Sequence, residues 1–198
     1  MLASRVACGM ANEDTAQRTS IATEYSAIPV QRLLTGEKRS SGALFEGVTD
    51  TNTKQLLVEN NTSDRVLLLF EPTVRSSGQS YVRKIKNPSV DTVGDAATLV
   101  NPKTDDATPL SVTVTTAGDG ETGAISGGTN YPQLTSGSGS NPNNASPGES
   151  GQSNITDAIA PGDSLAVEAI NQSGAVSDIS ITAEFIAFPE SEIERLPF

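Results

Sequence analysis

PGDSLAVEAINQSGAVSDISITAEF, residues 161–185, is written with a period of two. Pro161-Gly162-Asp163 is turn chemistry, and it delivers Ser164–Asn171, where Leu165, Val167 and Ala169 alternate with Glu168 on the opposite face. Asn171–Gly174 turns again. Ile179, Ile181, Ala183 and Phe185 then share one face of a long closing strand, with Ser180, Thr182 and Glu184 opposite. Successive side chains of a strand point to opposite faces, so this pattern predicts two strands, each with one face on a core.

The same reading extends upstream. Val112 and Val114 alternate with Ser111, Thr113 and Thr115 within Pro109–Ala117, which predicts a half-exposed strand. Arg65–Glu71 (RVLLLFE) is a continuous apolar run of strand length, as expected of a strand buried on both faces. Lys54–Glu59 (KQLLVE) precedes it across Asn60–Asp64 (NNTSD), and the two runs with this turn between them read as a hairpin. Gln79–Lys86, Ala97–Val100 and a first strand at Val30–Leu34 complete the set. Short strands, about seven to nine of them, with turn signals between and no sustained helical stripe, predict an all-β antiparallel sandwich, jelly-roll-like. β-branched residues crowd the apolar positions, which disfavours a helical core.

Two segments fall outside the pattern. Residues 1–26 are Ala-rich and polar, and read as an N-terminal arm set off by Pro29. Residues 27–198 form the single sandwich domain, with a long Gly/Ser-rich loop inserted at 118–153. That loop holds nine Gly among Ser, Asn, Thr and Pro, a composition that predicts disorder unless another surface holds it. A neighbouring subunit would supply such a surface for loop and arm alike. The alternative for the arm is to fold back over an edge of its own sheet.

Charge is the loudest compositional signal. There are 24 acidic side chains against 13 basic ones in 198 residues, a net charge of −11. Only five of the bases are Lys, and residues 104–194 hold thirteen Asp or Glu with no Lys or Arg. Such an excess repels itself in dilute buffer. Salt at about 1 M shortens the Debye length to about 3 Å and removes most of that penalty. The balance therefore reads as halophilic, against the plainer reading of an acidic mesophilic protein. It also argues against nucleic acid as a partner, because no basic stripe is present to neutralise phosphates. No run of 18 apolar residues occurs, so no membrane insertion is expected. MLASRVACGM lacks the apolar stretch of a lipoprotein signal before Cys8, so synthesis in the cytoplasm without the usual export route is expected.

The chemical inventory is thin. There is no His, hence no imidazole base and no His metal ligand, and the single Cys8 cannot form an intrachain disulfide or a structural zinc site. No cofactor motif is present, and a two-carboxylate hydrolase has no recognisable arrangement here. A non-enzymatic role is expected. The candidate oxygen ligands for a hard cation are Asp105, Asp106, Asp119 and Glu121, set against their reading as solvated acidic loops. Asn60, Asn61, Asn144, Asn154 and Asn171 each begin an N-x-S/T triplet. Arg83, Lys84 and Lys86 form the one basic concentration, read as a solvated face, as salt bridges to the acidic surface, or as a contact with an acidic neighbour.

Four stretches together resemble a family of virion β-sandwich proteins of phages and archaeal viruses. They are LLVENNTSDRVLLLFE (56–71), SYVRKIKNPSVD (80–91), ATLVNPKTDDATPLSVTV (97–114) and 161–185. The matching positions are Leu56 to Asn60, Asn101-Pro102, Thr108-Pro109-Leu110, Pro161 to Leu165 and Asn171 to Gly174. The resemblance implies capsid, decoration, turret or fibre structure, and no catalytic residues. With the acidity, it implies a virus of halophilic archaea. The chain would be made in the host cytoplasm and located in the virion as a homo-oligomer. Its partners would be copies of itself and other virion proteins, with possible host-surface contact. The other expectation is a surface or adhesion module of a haloarchaeon.

Overall fold

The two alternating strands of residues 161–185 occupy the middle of two different sheets. The computed structural model of the chain describes residues 38–102, 109–131, 134–136 and 155–193. The arm, the expected strand Val30–Leu34 and most of the second half of the Gly/Ser loop lie outside the described residues.

The first sheet contains β1 (Lys38–Val48), β3 (Arg65–Phe70), β4 (Thr73–Ser76), β7 (Leu99–Val100), β12 (Ile155–Ile159) and β14 (Ser177–Pro189). Its order is β12-β3-β14-β1-β7, with β4 continuing along β14 beyond β3. Pro72, which has no N–H to give the ladder, lies in the break between β3 and β4. The second sheet contains β2 (Thr53–Asn60), β5 (Ser80–Lys86), β8 (Val112–Gly118), β10 (Thr129–Asn130), β11 (Leu134–Ser136) and β13 (Ser164–Asn171). Its order is β10-β5-β13-β2-β8, with β11 also on β5. A small third sheet pairs β6 (Ser89–Thr92) with β9 (Ala124–Ser126), and one turn of helix, α1 (Glu190–Ile193), follows β14. Every pairing is antiparallel, so the fold is an all-β antiparallel sandwich. Three strand pairs of a rolled-up hairpin are present: β1 with β14, β2 with β13, and β3 with β12. The fourth is replaced, because β8 pairs with β2 and not with β5.

The core lies between the two sheets. Leu56 and Val58 of β2, with Leu165, Val167 and Ala169 of β13, face Leu67 and Leu69 of β3 and Ile179, Ile181, Ala183 and Phe185 of β14. The alternation read from residues 161–185 is thus the inner face of both sheets. RVLLLFE is buried on both faces as expected: Val66, Leu68 and Phe70 pack with Ile186 and Phe188 on the outer side of the first sheet.

Two expectations are corrected. Residues 54–71 are not a hairpin. β2 and β3 belong to different sheets, and Asn60–Asp64 is an arch that carries the chain from one to the other. The side chain of Asn60 holds the arch, donating to Arg65 O at 2.8 Å and to Ile159 O at 2.8 Å. A hairpin would leave RVLLLF beside KQLLVE; the arch instead stacks them face to face, so both bury their apolar side chains. The first part of the Gly/Ser insertion is not structureless either. It supplies β9, β10 and β11, and Ile125 covers Leu57, Ile85 and Ala166 on the outer side of the second sheet. Its glycines serve close approach: a Cβ on Gly123 would lie 2.3 Å from Thr116 O, and one on Gly128 would lie 2.7 Å from Ile85 Cγ2. This covering, with the bridge of Ala96 to Thr115 on the edge of β8, buries Thr115, which the sequence pattern places on an exposed face.

Candidate functional site

Each polar side chain buried among the described residues belongs to a strand. Arg83 and Lys84 are adjacent on β5 and therefore point to opposite faces. Glu168 stands opposite Arg83 on one side and Gln55 on the other. Its carboxylate accepts from Gln55 Nε2 at 2.6 Å and forms an ion pair with the Arg83 guanidinium. Glu168 is only 2% exposed. A buried carboxylate is tolerated only when paired and hydrogen-bonded, and both oxygens are.

Lys84 points the other way, to the margin between the sheets. Its ammonium meets Asp157 of β12 at 2.6 Å and Glu71, just after β3, at 3.5 Å. This is a strut from the second sheet to the first. Arg83 and Lys84 of the basic concentration are therefore engaged at two separate sites and do not form one cationic patch.

Lys54 closes the opposite margin. It donates to Asp119 O at 2.7 Å, pairs with the Glu121 carboxylate, and lies 5.4 Å from the centroid of the Phe45 ring. The Asp119 carboxylate accepts from Thr53 N at 2.8 Å. Of the four candidate cation ligands, Glu121 thus faces the protein's own ammonium, and Asp119 gives that ammonium its main-chain oxygen while its carboxylate holds Thr53 N. Asp105 and Asp106 lie outside the described residues. Among the described residues no group of three or more His, Cys, Asp or Glu gathers.

The triplet asparagines divide by burial. Asn60 and Asn171 are 1% and 0% exposed, and their amides hold main-chain carbonyls. Neither can carry a glycan in the folded chain. Asn61 is exposed and donates to Thr113 Oγ1 at 2.9 Å. Asn144 and Asn154 lie outside the described residues.

Among the described residues no buried side-chain nitrogen or oxygen lacks a hydrogen-bond partner. The surface is lopsided in charge. Glu46, Asp64, Glu71, Asp91, Asp95, Asp119, Asp178 and Glu190 are exposed, while Arg75 is the one exposed base among the described residues. The struts were missed in sequence because their partners are remote: Lys84 and Asp157 are 73 positions apart, and Arg83 and Glu168 are 85 apart. The available signal was a charged residue inside an apolar strand, as in SLAVEAIN and SYVRKIK.

The chain matches no protein-family model, no curated protein and no solved structure.

Proposed function

We propose that this chain is a non-enzymatic structural protein of the particle of a virus infecting halophilic archaea, forming its shell or a decoration, turret or spike upon it. The observation that carries the reading is the division of charge. Lys54, Arg83 and Lys84 are drawn into ion pairs, and Arg75 is the one exposed base among the described residues against eight exposed acids. Such a surface keeps a protein hydrated and dispersed in concentrated salt and repels itself in dilute buffer. The buried polar groups support a mechanical role, because they are consumed in bracing the sandwich: Glu168 ties three strands of the second sheet together, and Lys84 ties that sheet to the first. The sequence resemblance supplies the particle; the sandwich architecture is shared by many functions and does not by itself choose among them.

The test is assembly. The purified chain, brought to about 1 M salt and above, is expected to form oligomers of defined size, read by light scattering and electron microscopy. A chain that stays monomeric across the salt range would contradict the proposal. Recovery with haloarchaeal cell envelopes, in place of particles, would favour a cell-surface module.

A further inference from the structure

The arch that follows β2 has a counterpart after β13. We infer that β1-β2-β3 and β12-β13-β14 are two copies of one structural unit, related by an approximate two-fold axis, and that Asn60 and Asn171 are its two equivalent latches. This inference is independent of the proposed function.

The strand orders carry the symmetry first. In the first sheet, a two-fold between β3 and β14 exchanges β12 with β1; in the second, a two-fold between β2 and β13 exchanges β5 with β8. Strand order alone would not require the hydrogen bonds to repeat, yet they do, at a constant spacing of 111 positions, that between Asn60 and Asn171. In the turn before β2, Asn52 N donates to Thr49 O at 3.1 Å; in the turn before β13, Asp163 N donates to Ala160 O at 3.0 Å. Thr51 N reaches Asn171 O, and Gly162 N reaches Asn60 O, both at 2.8 Å. Asn171 N donates to Asn52 O, and Asn60 N donates to Asp163 O, both at 3.0 Å. Thr51 and Gly162 both have positive φ, 67° and 81°.

The latches repeat as well. Asn171 Nδ2 donates to Val48 O, the end of β1, at 2.8 Å, and Asn60 Nδ2 donates to Ile159 O, the end of β12, at 2.8 Å. Each amide therefore ties its arch to the other unit. The second proton of each goes to its own arch, to Arg65 O and Ala175 O. Each side-chain oxygen accepts from the backbone two residues on, Thr62 N and Ser173 N, an Asx-turn. The hydroxyls of Thr62 and Ser173 close the same carbonyls, Arg65 O and Ala175 O. This explains why both sites read N-x-S/T: the third residue must offer a hydroxyl to the arch. The units differ by one residue after the latch. The shorter arch turns through Gly174 at φ 72°, while the longer has one more residue and no positive φ.

Sequence similarity has nearly vanished between the units. VTDTNTKQLLVENNT (48–62) and IAPGDSLAVEAINQS (159–173) are identical only at the latch.

Thermal unfolding of the full chain in concentrated salt tests the inference. Asn60→Ala and Asn171→Ala are expected to lower Tm by similar amounts, each roughly 5–15 °C. Arch exchange keeps the test informative if either variant fails to fold. Putting Gln172–Gly174 in place of Asn61–Asp64, and the reverse, is expected to hold Tm within about 4 °C of the parent. Three glycines in either arch, lacking the hydroxyl, are expected to lower it further than the exchange does. Exchanges that unfold the chain, or an Asn60→Ala variant that is silent while Asn171→Ala is not, would overturn the equivalence.

Discussion

Replacing Lys84 with Met removes the strut between the sheets while keeping a side chain of similar length. The lost contacts are the 2.6 Å pair with Asp157, the 3.5 Å pair with Glu71 and a long hydrogen bond to Thr156 Oγ1 at 3.4 Å. The side chains of Lys84 and Asp157 are 15% and 8% exposed, so the first pair is largely desolvated, whereas Glu71 at 45% is wet and adds little. Removing one partner of a buried pair costs about 3–5 kcal/mol, because the other charge stays buried without compensation. Asp157 keeps one donor, Thr156 Oγ1 at 3.0 Å, and some contact with water, which lowers the expected loss to about 2–3 kcal/mol. For a chain of this size that is a Tm decrease of roughly 4–12 °C. The assay is urea unfolding in concentrated salt; guanidinium is unsuitable because it screens charge itself. The loss should persist above about 1 M salt, because mobile ions screen a largely buried pair far less than an exposed one. The double variant Lys84→Met/Asp157→Leu should recover most of the loss, since an apolar pair needs no compensating charge. A single variant as stable as the parent, or a double variant no better than the single, would refute the reasoning.

Folding should depend on salt: circular dichroism across a titration is expected to show the strand signal lost in dilute buffer and regained by about 1 M, and an equally folded chain at both ends would remove the halophilic reading. Thr51→Gly should raise Tm by up to roughly 6 °C, because a β-branched residue at φ 67° costs about 1–2 kcal/mol and glycine returns about 0.5–1 of that as chain entropy; a lowered Tm would show that the turn carries no strain. Deleting residues 1–26 should leave a folded chain that no longer assembles, read by light scattering beside the melting curve; loss of the chain's own stability with assembly intact would make those residues part of the fold.

The fold class was legible wherever one face of a strand meets the core. Leu165, Val167, Ala169, Ile179, Ile181, Ala183 and Phe185 read correctly because a single period of two controls them. The partner of each strand was not legible, since a turn and an arch use the same residues. NNTSD looks like a hairpin turn, and only the reach of Asn60 to Ile159 O, 99 positions away, makes it an arch. The glycines of residues 118–128 read as disorder because composition cannot distinguish a loose backbone from one pressed against Thr116 or Ile85. Glu168 reads as a polar-face residue and is instead buried between Gln55 and Arg83, partners that no local pattern announced. Of the acidic candidates, Asp119 turns its carboxylate to Thr53 N and Glu121 pairs with Lys54, partners that are remote in the chain.

The proposed role makes this chain a building element of a virus particle. Quantitative peptide mass spectrometry of purified particles from a haloarchaeal host, with cryo-electron microscopy to place the density, tests it most directly. The chain is expected in many copies per particle, at symmetry-related positions with its acidic surface toward solvent. Its absence from particles, or its recovery only in the host cell fraction, would contradict the account.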